Sequence, residues 1–384
     1  MNRSSALGEL AAVFLKLGAT AFGGPAVHVA LLENEVVRRR QWLTHAEFLD
    51  LLGVTNLIPG PNSTEMAIHI GLRRAGWRGL LVAGSCFVVP AFSITFAFAW
   101  FYVRYARLPQ LQGVLYGVKP VVLAIVMGAL WRLGRTALKT PLAIGVAAAA
   151  LAASLSGLHE LIVLLGAGVL APVVRGIAVR PSRTPPAAAA VVLSPLLPLG
   201  LAAPTTAAAS SAVGLLPLFL FFLKVGSVLY GSGYVLLAFL HGDLVERWGW
   251  LTESQLLDAI AVGQITPGPL FTTATFIGYM LAGPAGACLA TTGMFLPAFA
   301  FVALSAPLIP RLRQSKMAGA FLDGVNAASL ALMAAVTLRL LHGAFVDATT
   351  ILLGVASLAA LLFARINPIW LILAAAAVGL VLHP

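Results

Sequence analysis

A long internal repeat constrains the fold of this 384-residue chain more than any other feature of its sequence. Residues 14–61 align without a gap onto residues 222–269, and 19 of the 48 aligned pairs are identical. Matched helix breakers inside two copies of one apolar unit are typical of a transport protein whose site lies between the copies. We therefore expect one repeat in residues 1–176, a joining segment in 177–211 with room for an extra span, and a second repeat in 212–384.

The composition predicts an all-α polytopic membrane protein. Hydrophobic residues make up 60% of the chain and charged residues 10%, whereas a soluble domain carries about 25% charged residues. Apolar runs long enough to cross a bilayer as helices predict five to six spans in each repeat. An odd number of spans makes the repeats inverted and an even number makes them parallel. We expect the inverted arrangement.

The net charge of +11 comes largely from basic residues in short loops between apolar spans. This pattern predicts contact with the anionic headgroups of a bilayer, or a field that attracts an anionic substrate, and it argues against nucleic acid as a partner. Arg132 and Arg339 end matched spans and are expected to anchor to headgroups. Cys86 and Cys288 lie in apolar runs and the histidines are scattered, so we predict no disulfide, metal site or cofactor.

Two capping boxes and two Pro-Gly-Pro sequences divide each repeat in the same way. Thr44 with Glu47 and Thr252 with Gln255 predict helices that begin near residues 45 and 253. Each helix then meets a proline pair, which removes backbone donors and ends it. The chain can resume a helix after each break. These breaks are Pro59, Gly60 and Pro61 in the first repeat and Pro267, Gly268 and Pro269 in the second.

A helix that restarts inside a membrane exposes unpaired N–H groups and the positive end of its dipole, which suits an anion. Polar side chains cluster at both restarts, and we predict that they bind a tetrahedral oxyanion. The alternative is a pair of proline kinks that only shape packing. The predicted residues are Asn56, Asn62, Ser63 and Thr64 in the first repeat and Gln264, Thr272 and Thr273 in the second.

A second pair of matched breaks follows the first apolar run of each repeat. Glycine and proline there could start another helix towards the anion, or could simply form a tight turn. The residues are Phe22, Gly23, Gly24 and Pro25 in the first repeat and Tyr230, Gly231 and Ser232 in the second.

Lys16 and Lys224 occupy matched positions inside apolar runs. A lysine near the middle of a membrane costs about 2.5–3.5 kcal/mol on insertion scales, so its duplication predicts a cation that faces the substrate or pairs with Asp50 or Asp258. The alternative is a lysine that reaches to the interface. Candidates for coupling to an ion are Asp50, Glu65, His69 and Asp258.

Several of these motifs together resemble those of the chromate ion transporter family. They are Phe14 to Gly18, Phe22 to Pro25, Arg39 to Leu43 and Pro59 to Asn62, with their repeats from Lys224 to Pro269. The resemblance covers both halves and corresponds to the long two-domain form. It implies a bacterial-type inner-membrane protein, with halves of opposite orientation, that exports chromate and confers chromate resistance. The second repeat departs from the pattern at Ser232, Gly233 and Leu270, so the halves need not contribute equally.

Two classes of function fit the sequence. The first is a secondary transporter for chromate, with sulfate as a structural analogue, because the chain has no GxxxxGK[ST] phosphate-binding loop for ATP. The second is a membrane enzyme that acts on a lipid or polyprenyl phosphate, which would need a carboxylate pair or a Ser/His arrangement within the membrane. We predict a transporter and not an enzyme, and a homodimer is an open alternative to a monomer.

Overall fold

A computed structural model describes residues 3–22, 25–106, 108–176, 213–230, 233–305, 316–364 and 366–382. These residues are helical or lie in turns, and none of them forms a strand. The predicted extra span in 177–211 lies outside the described residues, as do Gly23, Gly24, Gly231 and Ser232.

Within the described residues, the first repeat contains seven helices. The second helix continues as a π-helix over Asn34–Arg39. In chain order they are α1 (Arg3–Thr20), α2 (Pro25–Glu33), α3 (His45–Thr55), α4 (Asn62–Tyr105), α5 (Pro109–Ala137), α6 (Pro141–Leu155) and α7 (Glu160–Val174).

The second repeat has the same order of helices, so that α1 corresponds to α8, α2 to α9, and so on to α7 and α14. Short 3-10 and π segments extend three of them: Gly233–Val235, Leu240–Arg247, Leu270–Thr272 and Ala360–Ala364. The helices are α8 (Leu215–Val228), α9 (Leu236–Phe239), α10 (Glu253–Ile265), α11 (Thr273–Ser305), α12 (Lys316–Ala344), α13 (Ala348–Ala359) and α14 (Pro368–Leu382).

The predicted helix starts and Pro-Gly-Pro breaks are confirmed. Thr44 and Thr252 cap α3 and α10 through complete capping boxes, and each helix ends before its proline pair. Gly60 and Gly268 have φ values of 138° and 86°. Residues other than glycine rarely adopt these values, so the loop needs glycine at this position.

Both long helices that follow the breaks fold back on themselves. The backbone leaves helical geometry at Ala75 and Gly76 in α4 and at the matched Ala282 and Gly283 in α11. A Cβ added to Gly71 would lie 2.6 Å from the Ala83 Cβ, whereas 12 residues of straight helix would separate them by about 18 Å. Each long helix is therefore a hairpin, with segments α4a (62–74), α4b (77–105), α11a (273–281) and α11b (284–305).

The breaks and the reversals together make re-entrant hairpins. The Arg73 guanidinium at the end of α4a lies 3.7 Å from the Glu47 carboxylate at the start of α3. The neighbouring Arg74 binds Glu9 of α1 at 3.0 Å. Hence the start of α3 and the end of α4a lie on the same side of the molecule. The loop that contains Gly60 joins the two helices and is the tip of their hairpin.

The terminal helices of each repeat pack against the other repeat. α14 lies on α5, where a Cβ at Gly117 would collide with the Ala375 carbonyl, and α7 lies on α12, where Gly324 meets Ala167 in the same way. Small residues allow this close backbone approach between helices. The exchange joins the two repeats into one structure.

Four helices in the described part of the chain are long and apolar enough to cross a membrane. Five further apolar helices are shorter, with 10–17 residues each. Because α4 and α11 reverse direction, the spanning parts of those two are α4b and α11b. The other two long helices are α5 and α12.

Candidate anion site

The two Pro-Gly-Pro loops meet the opposite repeat through a reciprocal pair of backbone hydrogen bonds. The Gly60 N–H donates to the Leu229 carbonyl at 2.8 Å, and the Gly268 N–H donates to the Ala21 carbonyl at 2.8 Å. Leu229 and Ala21 are matched positions, so the repeat symmetry relates the two contacts. All six residues of the loops are buried. A backbone carbonyl of the other repeat therefore accepts the hydrogen bond of the glycine N–H at each tip, so this N–H needs no water.

The second tip lies halfway along a long helix of the opposite repeat. A Cβ added to Gly268 would lie 2.8 Å from the Ala91 Cβ, and one added to Gly60 would lie 3.8 Å from the Ala298 Cβ. Ala91 is the central residue of α4b, about 20 Å from each of its ends at 1.5 Å per residue, whereas Ala298 lies about 21 Å from the start of α11b and about 10 Å from Ser305. If α4b spans the bilayer, the second tip lies near the midplane.

A pocket opens beside the second tip and includes Arg132 of α5 in its lining. Residues after α1, on α5, at the end of α10 and before α14 form its wall, so both repeats contribute to it. They are Phe22, Arg132, Tyr234, Gly263, Gln264, Thr266, Gly268, Leu270, Asn367, Pro368 and Ile369.

The polar groups of this pocket are mostly hydrogen-bond donors. The buried amide nitrogen of Gln264 has no hydrogen-bond partner in the structure as described, and the Tyr234 hydroxyl lies beside that amide. The Asn367 Oδ1 accepts from the Ile369 N–H at 3.1 Å, which leaves its NH2 group to donate. Arg132 supplies a cation, and the lining includes no carboxylate. Such a set of groups can bind an anion.

A sequence model of the family described as chromate transporter matches residues 8–172 and 216–380 of the chain. The chain belongs to the chromate transporter family. It is 34% identical over 359 residues to the probable chromate transport protein of Synechococcus elongatus, covering 92% of this chain and 89% of that protein. It is 32% identical over 393 residues to the chromate transport protein of Cupriavidus metallidurans, covering 98% and 94%. Its identity to that of Pseudomonas aeruginosa is 33% over 387 residues, covering 98% and 92%. No solved structure matches the chain.

This chromate transporter family member uses its two matched lysines differently. Lys16 is exposed. Lys224 is only 11% exposed, and its ammonium lies 2.6 Å from the carboxylate of Asp243, a residue the sequence analysis did not single out. The predicted pairing of Lys224 with Asp258 is wrong, because Asp258 binds Lys119 at 3.2 Å. Asp243 therefore neutralises Lys224, which does not line the pocket.

The predicted residues of the first restart form a small polar network. Asn62 donates to Asn56 Oδ1 at 2.7 Å. The Ser63 hydroxyl lies 3.3 Å from His28 Nδ1, and His28 Nε2 lies 3.0 Å from the Ala21 carbonyl, the acceptor of the second tip. Thr64 is buried, and its hydroxyl has no partner among the described residues.

In the second restart the predicted hydroxyls bond locally. Thr272 donates to the Pro269 carbonyl and Thr273 to the Leu270 carbonyl, each at 2.8 Å. These hydroxyl protons stabilise the turn and do not point to a ligand. Of the residues predicted in this restart, Gln264 and Gly268 line the pocket.

Glu65 and His69 are buried on α4a, and Glu65 is close to the first tip. A Cβ added to Gly60 would collide with the Glu65 carboxylate. Neither oxygen of that carboxylate, nor Nε2 of His69, has a hydrogen-bond partner within the described ranges. Their matched positions carry no charge. Asp50 is half-buried on α3, and Asp258 also accepts from the Tyr102 hydroxyl at 2.8 Å.

Sequence reasoning did not assign several residues of the pocket to the site, among them the polar residues Arg132, Tyr234 and Asn367. Arg132 lines the pocket, although its position predicted a headgroup anchor, whereas the matched Arg339 binds Glu246 and the Ser154 carbonyl. Asn367 gave no sequence signal, because the repeat alignment is weak there and its counterpart is His159.

An ion network connects α7 to the second repeat. Arg247 binds Asp243 and also Glu160, the latter at 2.7 Å, and Lys224 binds Asp243. Ligand atoms of His159, Glu160 and Asp243 lie within 4.8 Å of one another. The two bound cations already neutralise both carboxylates, which favours a structural ion network over a metal site at this point.

Proposed function

We propose that this chain is a secondary transporter that exports chromate across a bacterial-type inner membrane. The chain is 32–34% identical over at least 92% of its length to three proteins named for chromate transport, which supports the substrate. An inside-negative potential favours outward movement of an anion by about 2.3 kcal/mol per charge per 100 mV. Membership of a transporter family argues against the lipid-phosphate enzyme.

The observation that carries the proposal is the burial of both Pro-Gly-Pro tips against the opposite repeat, with a pocket that lacks a carboxylate beside the second tip. Backbone of each repeat holds the tip of the other, through Gly60 and Gly268. A site held between two repeats is what alternating access requires, because small movements of one repeat against the other open it to either side. The repeats proposed to make these movements are residues 1–176 and 212–384, joined by 177–211.

The contacts at the two ends of α4b support inverted repeats. The start of α3 lies at the first end, where Glu47 meets Arg73. The start of α10, the counterpart of α3, lies near the second end, where Asp258 meets Tyr102. From residue 77 to residue 102 a helix rises about 38 Å, close to the thickness of a bilayer. Matched hairpins that enter from opposite ends of one spanning helix have opposite orientations.

The distribution of basic residues supports an orientation in which the re-entrant hairpin of the first repeat enters the membrane from the cytoplasm. Arg73, Arg74 and Arg78 flank the reversal in α4, and the three matched positions in α11 carry no charge. Basic residues concentrate on the cytoplasmic side of membrane proteins. The reversal of α4 is then cytoplasmic and that of α11 periplasmic.

The coupling ion and the competing anion are further parts of the proposal. Glu65 is the best-placed candidate to bind a proton, because its carboxylate is buried against the first tip, and His69, Asp50 and Asp258 are the alternatives. Sulfate is expected to compete, since it is also a tetrahedral dianion. We expect lipid to surround the molecule. The homodimer also stays a proposal, and a measurement of the oligomeric state in detergent tests it.

Uptake of chromate by everted inner-membrane vesicles tests the function. Vesicles that contain the protein should accumulate chromate faster than empty-vector vesicles, and sulfate should slow them. Equal uptake in both vesicle preparations, with and without a pH gradient and a potential, would contradict the proposed transport.

A further inference from the structure

We propose that the pocket beside the second tip is the single chromate-binding site, and that Arg132 is the cation that binds the dianion there. This inference rests on the proposed function, because it names the residue that binds the transported substrate and the side of the membrane from which the substrate enters. The matched region of the first repeat is inferred to hold no second substrate.

Arg132 is available to a ligand, whereas its counterpart is not. Arg132 is an exposed residue that lines the pocket, and it forms no ion pair with any residue for which the structure gives a side chain. Arg339 is held by the Glu246 carboxylate and by the Ser154 carbonyl. The position matched to Glu246 is Arg38, which binds Glu33 at 3.3 Å. Glu246 therefore neutralises Arg339, whereas Arg132 has no carboxylate partner within the described residues.

The residues matched to several other lining residues of the pocket differ in the first repeat. Asn367 and Pro368 correspond to His159 and Glu160, and Tyr234 corresponds to Ala26. The Glu160 carboxylate is 2.7 Å from Arg247. A carboxylate at this matched position offers an anion no N–H or O–H donor, and alanine offers no hydroxyl. The symmetry that builds two tips thus produces only one set of anion ligands.

The chemistry of the donors fits a tetrahedral dianion. A guanidinium presents several N–H groups in a planar fork that can bind two oxygens at once. The Gln264 amide nitrogen is buried and makes no hydrogen bond of good geometry within the described residues, so its N–H groups can turn to a ligand oxygen. The Asn367 NH2 group could bind a further oxygen.

The position of Arg132 also gives the side from which the pocket fills. α5 starts at Pro109, directly after the end of α4, and Arg132 lies about 35 Å further along the helix. It therefore lies towards the end of the molecule where Glu47 meets Arg73. In the proposed orientation this end is cytoplasmic, which is the side from which an exporter takes its substrate.

Substitution of the two matched arginines tests the site. Chromate binding to purified protein by equilibrium dialysis, and the concentration dependence of vesicle uptake, would be measured for Arg132→Gln, Arg132→Lys and Arg339→Gln. Loss of a charge-assisted contact predicts that Arg132→Gln raises Kd and KM about tenfold to a hundredfold. Arg132→Lys should recover part of the affinity, and Arg339→Gln should bind chromate as the native protein does.

A second substitution keeps the test decisive if Arg132→Gln folds poorly. Gln264→Glu places a negative charge in the pocket with almost no change of shape, and it should abolish measurable chromate binding. Gln112→Glu adds the same charge at an exposed position of α5 and should bind normally.

Distinct outcomes separate the two proposals. If the native protein neither binds nor transports chromate, the proposed function is wrong. If the native protein transports chromate but Arg132→Gln or Gln264→Glu keeps native Kd and KM, the pocket is not the binding site. Equal losses in Arg132→Gln and Arg339→Gln would overturn the claim of a single, asymmetric site.

Discussion

The two repeats of this chromate transporter family member agree in backbone and differ in charge. Their capping boxes, tips, reversals and glycine contacts match position by position, down to the hydrogen bonds of Gly60 and Gly268. Their charges do not match, since Lys16 is exposed where Lys224 is ion-paired, and Arg132 lines a pocket where Arg339 is neutralised. Symmetry therefore provides the scaffold, and we propose that the substrate and the coupling ion bind where the repeats depart from symmetry.

The largest effect is expected at the tips, where the repeats are most alike. Gly60→Ala and Gly268→Ala force a side chain into a positive-φ turn and into contacts with Glu65 and Ala91, at a combined cost of about 2–5 kcal/mol. Chromate uptake by vesicles should fall to background in both variants. Gly53→Ala is the control, because a Cβ there meets nothing within 4 Å. Chromate uptake at the native rate in either alanine variant would show that the tips are not required for transport.

The matched lysines should respond very differently. Lys224→Ala leaves the buried Asp243 with one cation fewer and should reduce the free energy of unfolding by about 3–5 kcal/mol. Lys16→Ala removes an exposed side chain and should change it by less than about 0.5 kcal/mol. Denaturant midpoints in detergent measure both. Similar losses of unfolding free energy in the two variants would show that the ion pair of Lys224 does not stabilise the protein.

Much of this backbone could be predicted because its signals are local. Thr44, Thr252 and the proline pairs act on their own turns, so the helix starts and breaks follow from short stretches of sequence. The reversal at Gly76 could not be predicted, because a glycine after arginines in an apolar region is also common within straight helices. The exchange of α7 and α14 depends on tertiary packing at Gly117 and Gly324.

The site could be predicted only in part, for a related reason. Tip residues such as Gly268 were found by their repetition, and Gln264 was found by its neighbours. Arg132 and Asn367 come from distant helices, and nothing in the sequence relates them to the tip. Repetition of the lysines did not predict their partners, because Lys224 pairs with Asp243 whereas the matched Glu35 pairs with Arg40.

Glu65 has no charged counterpart, so its substitution sharpens the comparison for coupling. If it carries the exchanged proton, an acidic vesicle lumen should speed chromate uptake by the native protein, and Glu65→Gln should remove this stimulation. Thr275→Val changes a buried polar residue of the second repeat and should keep the stimulation. A native response to the pH gradient in Glu65→Gln would assign the proton elsewhere.

The smallest effects should be equal in the two repeats. Thr44→Ala and Thr252→Ala each remove the side-chain acceptor of a capping box and should cost about 1 kcal/mol of stability with transport retained. Thermal midpoints measure this cost. A large loss in one repeat alone would mean that its hairpin is held by the cap more than by packing.

A map of the protein with chromate, determined by electron cryo-microscopy in a lipid nanodisc, tests the central claim most directly. The account predicts both Pro-Gly-Pro tips bound to the opposite repeat, the second of them near the bilayer midplane, with density for one oxyanion between Arg132 and Gln264. Tips in contact with lipid and apart from each other, or chromate bound away from this pocket, would contradict it.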